Sequence, residues 1–329
     1  MTSEPSSFTG PLFVVGMPRS GTKLLRGVLN SHSNIGIPLN ETEFLPYLER
    51  HWAQFGDLKQ RERFWAFYRW TLSTLYMQNR QREYGAQIDH VVWYLACAGD
   101  FSLANVFEQL IRHDARVAND GIWGDKSPSY VRHLPVLKRL YPDAKFVHII
   151  RDVRDYVLSM EKAFAKDRRR AAQRWVTSIR QAQKEASGFS DDVLMVRYEE
   201  LLSSPSEVLK RVCAFLNVAY EEAMLTLQQA TENLGDAQGK KYIVSGNQGK
   251  YLTKMNEEER AEIEAIAGEL LVSLGYPCDY SGSSVRLSNT EMRRLQFKDA
   301  VNLIRIDSQR NGWHHTIRSR VGNFIKLRL

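Results

Sequence analysis

The stretch P-L-F-V-V-G-M-P-R-S-G-T-K-L-L-R-G-V-L-N, residues 11–30, decides how this chain folds. Five of its first seven residues are apolar, without polar alternation, which suits a strand buried on both faces of a parallel sheet. P-R-S-G-T, residues 18–22, then breaks the strand, and K-L-L-R-G-V-L-N restores apolar positions at helical spacing. A turn at a helix N-terminus points several backbone N–H groups at one spot, and the helix dipole adds to them, so the arrangement makes an anion site. Gly21 lets the backbone approach the anion, Ser20 and Thr22 offer hydroxyls, and Arg19 offers charge and a fork of donors. The competing account is an ordinary strand–turn–helix connection in which Ser20 only caps the helix.

Working outward, A-K-F-V-H-I-I, residues 144–150, reads as a second strand, followed by helix to about Phe164. D-V-L-M-V-R-Y, residues 192–198, reads as a third. A long basic helix is expected over 168–188, with further helices over 204–216, 220–234 and 256–274. Residues 43–117 read as mostly helical and rich in aromatics, among them Trp52, Phe55, Phe64, Trp65, Phe67, Tyr68, Trp70, Tyr76, Trp93 and Tyr94. These rings are expected either to wall an acceptor pocket or to form plain core. Strands alternating with helices define an α/β fold: a P-loop-like central parallel β-sheet flanked by helices. The expected organisation is a disordered leader over 1–10, an α/β domain over 11–282 with a helical insertion at 45–120, and a basic extension over 283–329 joined by the S-G-S-S linker.

The chain has 329 residues, 43% apolar and 25% charged, which excludes a disordered chain, a collagen and a disulfide miniprotein. Cys97, Cys213 and Cys278 are too few and too far apart for a disulfide framework or a Cys-x-x-Cys metal site. The histidines form no metal set, so no metal is expected, and His148 inside an apolar strand reads as core. No apolar run reaches the roughly 18–20 residues of a membrane span, and no secretory signal is visible, so a cytoplasmic location is expected. The net charge of +7 sits on the last 44 residues: from Arg286 onward there are ten Lys/Arg against three Asp/Glu. Such a tail suits peripheral contact with the inner face of a membrane, another anionic surface, or simply a helix with a solvated basic face. With zero net charge on the rest, no nucleic-acid partner is expected.

G-M-P-R-S-G, residues 16–21, has the two glycines of a nucleotide-triphosphate P-loop, G-x-x-x-x-G-K-[ST]. Here Thr22 precedes Lys23, the reverse order. One residue along a helix is about a 100° turn, so Lys23 should point away from phosphates in that loop. A kinase or NTPase using Mg-ATP is therefore the weaker alternative.

Residues 12–33 resemble the opening of the sulfotransferases that use 3′-phosphoadenosine 5′-phosphosulfate (PAPS), closest to the bacterial branch similar to tyrosylprotein and glycan sulfotransferases. In that family the P-R-S-G-T loop grips the donor's 5′-phosphosulfate, which implies roles for Arg19, Ser20, Gly21, Thr22 and Lys23, although Lys23 stands where threonine or serine is usual. F-V-H-I-I-R-D-V-R-D-Y-V-L-S-M, residues 146–160, is similar to the family's 3′-phosphate motif and implies Arg151 and Ser159 as its binders. W-G-D-K-S-P, residues 123–128, resembles the segment whose lysine contacts the transferring group, here Lys126. L-N-E-T-E-F, residues 39–44, resembles the segment of the general base, here Glu41, with Glu43 as the second choice. V-R-Y-E-E-L, residues 196–201, adds Tyr198 to the donor-binding set, and S-G-N-Q-G-K-Y, residues 245–251, adds Lys250. The resemblance implies PAPS as co-substrate, PAP as product, no metal, and catalysis by Glu41, Arg19 and Lys126. The acceptor is expected to be a hydroxyl on a carbohydrate or glycolipid, with a small molecule or peptidyl tyrosine as alternatives. A homodimer is left open.

Overall fold

The apolar stretches without polar alternation form the middle of one sheet. The computed structural model describes residues 8–231 and 237–311. Its strands are β1 (Leu12–Gly16), β2 (Ile35–Gly36), β3 (Ile122–Lys126), β4 (Lys145–Ile150) and β5 (Val193–Arg197), in the order β2-β3-β1-β4-β5. Every neighbouring pair is parallel; Gly16 lies opposite Ile149, and Val14 opposite Lys126 on the other side. Strand β1 is buried throughout, and its side chains alternate between two cores, as a pleat requires. Phe13 and Val15 face one that includes Tyr130 and Phe146. Leu12 and Val14 face the other, with Leu24, Leu25 and Val28 of the helix Thr22–Leu29.

The chain leaves β1 toward β2 and β3 and then crosses to β4 on the other side. That reversal leaves a crevice at the carboxyl ends of the strands, where open α/β sheets take ligands. Two strands are not visible as apolar runs: β2 is two residues long, and β3, I-W-G-D-K, buries both Asp125 and Lys126.

The helices Arg168–Ala186, Pro205–Leu216 and Glu257–Ser273 match their expected ranges. The one expected over 220–234 does not form over its described part. Glu222–Leu225 is a single 3-10 turn; Thr226 then bridges antiparallel to Tyr242, and Leu227 N–H donates to the Lys241 carbonyl at 3.2 Å. Pairing with a distant segment wins over local periodicity there, and residues 232–236 lie outside the described residues. The aromatic region folds as helices whose rings face inward. Phe64, Phe67, Tyr68, Tyr76 and Trp93 are buried core, and Trp52, Phe55, Trp70 and Tyr94 pack against it; Trp65 stays 41% exposed. Residues 8–10, expected in the leader, are held in place: the Thr9 carbonyl accepts from the Trp123 N–H at 3.2 Å and from Arg112 at 3.1 Å. Residues 1–7 lie outside the described residues.

The chain divides into two compact units, one running to Arg151 and including Ser178–Gln248, the other Asp152–Thr177 together with the chain from Gly249 onward. The sheet belongs to the first. In the second, Asp152 caps the helix Val153–Phe164, and a buried ionic cluster holds the unit together. Arg154 donates to Asp152 and, at 2.6 Å, to Glu264, whose other oxygen accepts the Asp279 and Tyr280 N–H groups. The basic extension starts inside this unit. Leu287 N–H donates to Gln173, and Asp299 of the helix Asn289–Asn311 is 1% exposed and accepts from Arg170 and the Asp167 N–H. The remainder of the extension, 312–329, lies outside the described residues.

Candidate active site

Each of the five strands delivers a predicted site residue just at or beyond its carboxyl end. Strand β1 runs into the 18–22 turn, β2 leads to Glu41, β3 ends on Lys126, β4 is followed by Arg151 and β5 by Tyr198.

The turn has the shape its sequence promises. Ser20 N–H closes it on the Met17 carbonyl at 3.1 Å. Arg19 (φ 71°) and Gly21 (φ 95°) are both left-handed with Ser20 between them, a geometry in which successive N–H groups converge on an anion. Glycine is needed at 21 for a second reason: a Cβ there would lie 2.3 Å from the Tyr198 ring. Ser20 does not cap the helix, since Gly21 is the N-cap and the cap makes no side-chain hydrogen bond. Its hydroxyl is buried and, among the described residues, has no hydrogen-bond partner, although a buried polar group of that kind ordinarily finds one. The orphaned hydroxyl, the uncapped helix start and the left-handed pair fit the acid group of an anionic ligand.

Arg151 stands beside this turn, 6% exposed. It donates to the Arg19 carbonyl and to the Asn247 carbonyl, both at 3.3 Å, and its guanidinium lies 4.7 Å over the Tyr198 ring. The Asn247 amide donates to the Tyr198 hydroxyl at 2.8 Å, so three distant segments fix one arginine against the loop. Asn247 carries no charge and was not singled out from the sequence, although it sits in the quoted S-G-N-Q-G-K-Y stretch.

On the other side of β1, Lys126 has no exposed surface and forms an ion pair with Glu41, which is 35% exposed. Burial pushes the Lys126 ammonium down to about 8; Glu41 resists that shift, while Arg26 and Lys23 add to it. Of the two candidate carboxylates, Lys126 therefore engages Glu41. Glu43 instead gives its backbone N–H to Ser127, from a left-handed φ of 53°. The Glu41 loop is clamped from below. Thr42 shares hydrogen bonds with the Tyr130 hydroxyl (2.6 Å) and the Ser127 hydroxyl (3.3 Å), and Leu45 N–H donates to Tyr130. Thr42 is thus a strut and not a helix cap; the N-cap of the helix Leu45–His51 is Phe44. Arg26 donates to the Leu39 carbonyl and ties this loop to the first helix. Beneath it Asp125 is buried, and burial raises its carboxyl to about 6. The Ser127 and Thr42 hydroxyls and the Lys126 charge oppose that rise.

Glu41 opens onto a cleft of about 540 Å³ lined also by Lys23, Arg26, Asn40, Asn79, Arg82 and Gln229. No aromatic ring is among its described lining residues; the helix Leu75–Tyr84 presents Asn79 and Arg82 there, and most of the aromatic rings form core, one of their two expected roles. Lys23 lines this cleft. Ser159 lies on the helix Val153–Phe164 and Lys250 precedes the short helix Tyr251–Lys254, both in the second unit.

The model of the sulfotransferase family matches residues 11–222, and the chain belongs to that family of PAPS-dependent enzymes. Among curated relatives, a putative protein-tyrosine sulfotransferase of Caenorhabditis briggsae is 27% identical over 232 residues, covering 67% of this chain and 70% of its own. Protein-tyrosine sulfotransferase 1 of Danio rerio is 24% identical over 311 residues, covering 87% and 78%. Two solved structures share the fold at 22% identity. The sulfotransferase domain of the Synechococcus PCC 7002 olefin synthase has a TM-score of 0.55 and covers 84% of this chain and 98% of its own. That of the curacin biosynthetic pathway has a TM-score of 0.54, with 83% and 100% covered. The enzyme is a sulfotransferase, and the Mg-ATP kinase alternative falls away with that assignment.

Proposed function

We propose that this enzyme moves the sulfuryl group of PAPS onto a hydroxyl of a carbohydrate or glycolipid, with Glu41 as general base. The observation that carries the reading is the ion pair of buried Lys126 with the half-exposed Glu41, at a polar cleft with no aromatic ring among its described lining residues. Bound PAPS would supply a sulfuryl group already activated for in-line displacement. The 18–22 turn and the Ser20 hydroxyl hold its 5′-phosphosulfate, while Arg151, fixed by Tyr198 and Asn247, holds the 3′-phosphate. Lys126 and Arg19 place positive charge where the bridging oxygen gathers negative charge. Glu41 accepts the proton of the attacking hydroxyl, and its position on Lys126 fixes that carboxylate at the mouth of the cleft. Asn40, Asn79 and Gln229 supply both donors and acceptors, the chemistry a polyol uses.

The relatives named as protein-tyrosine sulfotransferases support a second reading, in which the acceptor is a peptidyl tyrosine. Transfer of radiolabelled sulfate from PAPS to a panel of glycosides, glycolipids and tyrosine peptides separates the two. The first reading expects label on sugars, abolished in Glu41→Ala; label on peptides alone would replace it with the second. The basic stretch from Arg286 also supports a peripheral contact with an anionic leaflet on the cytoplasmic side, tested by salt-sensitive binding to vesicles containing phosphatidylserine.

A further inference from the structure

The cleft at Glu41 holds more cationic groups than its own contacts use. Lys126 is engaged by Glu41, and Arg26 is committed to the Leu39 carbonyl. Glu83, the other acid in the wall, accepts from the Asn40 amide at 3.0 Å. That leaves Lys23, half-buried on the first turn of the helix Thr22–Leu29, and Arg82, exposed on the helix Leu75–Tyr84. Among the described residues neither makes an ion pair; Arg82 reaches only the Asn79 side chain, at 3.4 Å. Lys23 also helps push the neighbouring Lys126 down. Bonds to a neutral carbonyl and a neutral amide leave Arg26 and Glu83 charged, so Lys23, Arg26 and Arg82 stand against Glu83 alone and the cleft is net positive. An anion entering beside Lys23 and Arg82 is attracted from two separate elements.

We propose that Lys23 and Arg82 form an anion clamp for the acceptor, selecting a sugar that carries a carboxylate, phosphate or sulfate near the hydroxyl to be modified. The inference rests on the carbohydrate reading of this same cleft. An acidic sugar places its anion on the clamp and its hydroxyl at Glu41, while the polar amides bind the remaining hydroxyls. A neutral sugar leaves the two cations unpaired and binds more weakly. Lys23, on the half-buried side, contributes more than Arg82, whose charge is shared with solvent.

The test compares sulfate transfer to acceptor pairs with the same free hydroxyls: a glucuronide against its uncharged methyl ester, and a glucoside 6-phosphate against the 6-O-methyl glucoside. The full-length protein and the Lys23→Gln, Arg82→Gln and double variants are used, at low and physiological salt. The expected result is a wild-type preference for the charged acceptors. The acidic-to-neutral ratio of kcat/KM should fall roughly tenfold in Lys23→Gln, a few-fold in Arg82→Gln, and to near unity in the double variant. The glucuronide and phosphate arms report which anion the clamp prefers. Equal use of neutral and charged sugars by wild type would overturn the clamp and leave the carbohydrate reading intact. Weaker PAP binding in Lys23→Gln, with the acceptor ratio unchanged, would reassign Lys23 to the donor and also overturn it. Transfer to tyrosine peptides with no sugar accepted would instead remove the carbohydrate reading and the clamp with it.

Discussion

Replacing Lys126 by methionine should stabilise the protein while ending sulfuryl transfer. Lys126 has no exposed surface, and burial is the main cause that brings its ammonium from the ordinary 10.5 down to about 8. Each pKa unit is worth about 1.4 kcal/mol, so the folded chain disfavours this charge by about 3 kcal/mol, even with Glu41 beside it. The unfolded chain keeps its proton up to about 10.5, whereas the folded chain releases it near 8. The cost is therefore fully present below pH 8 and is relieved as the pH rises from 8 to 10.5. Methionine has similar length and no charge, and the Glu41 left behind is 35% exposed, so water can solvate it. Lys126→Met should gain on the order of 1–3 kcal/mol at pH 7 by urea denaturation, with the gain shrinking toward pH 10. Transfer from PAPS should fall by on the order of 10²–10³. A variant less stable than wild type at pH 7, or one that keeps its turnover, would refute this account of the buried charge.

Other outcomes follow from the same geometry. Ser20→Ala removes a buried hydroxyl with no partner among the described residues, so thermal stability should hold or rise while PAP affinity by calorimetry falls roughly tenfold. Glu264→Gln removes the charge that pairs with buried Arg154 and turns one of two accepting oxygens into a donor, and should cost about 3–5 kcal/mol by urea denaturation. Acid stability should show two opposing groups. Burial lowers His148 to about 4, so its contribution is present above pH 6.5 and is lost as the pH falls toward 4. Burial raises Asp125 to about 6, so its contribution is gained as the pH falls from 6 toward 3.8. Each is worth about 3 kcal/mol, and they nearly cancel. Asp125→Asn should therefore exceed wild type by up to about 3 kcal/mol at pH 7 and lose that advantage by pH 4, measured by denaturation across that range. An advantage independent of pH would contradict the raised carboxyl.

The parts of the fold legible in the sequence are those where burial acts alone. L-F-V-V-G and K-F-V-H-I-I lie between neighbouring strands and are mostly apolar, with only the buried His148 inside the second, so their ranges can be read to within a residue or so. Strand β3 escaped because its buried Asp125 and Lys126 look like surface residues until the site that uses them is known. The segment after Leu225 has helical periodicity, but Thr226 and Leu227 pair with residues near Tyr242, a contact that no local window contains. In the site, Lys126 and Glu41 were reached through motif resemblance, since spacing alone does not bring residues 85 apart together. The supports were not reached: Thr42, Ser127, Tyr130 and Asn247 are uncharged, and their value lies in which backbone groups and side chains they hold. Tryptophans and phenylalanines suit a sugar pocket and a core equally well, so the sequence leaves both open, and the structure places most of these rings in the core.

The measurement that bears most directly on the account is calorimetric binding of 3′-phosphoadenosine 5′-phosphate and of ATP, each with and without magnesium, to wild type and Arg151→Ala. The geometry around the 18–22 turn, with Arg151 held by Tyr198 and Asn247, predicts tight binding of the bisphosphate without metal and its loss in the variant. Preference for ATP with magnesium, unchanged in Arg151→Ala, would contradict the donor site at its foundation.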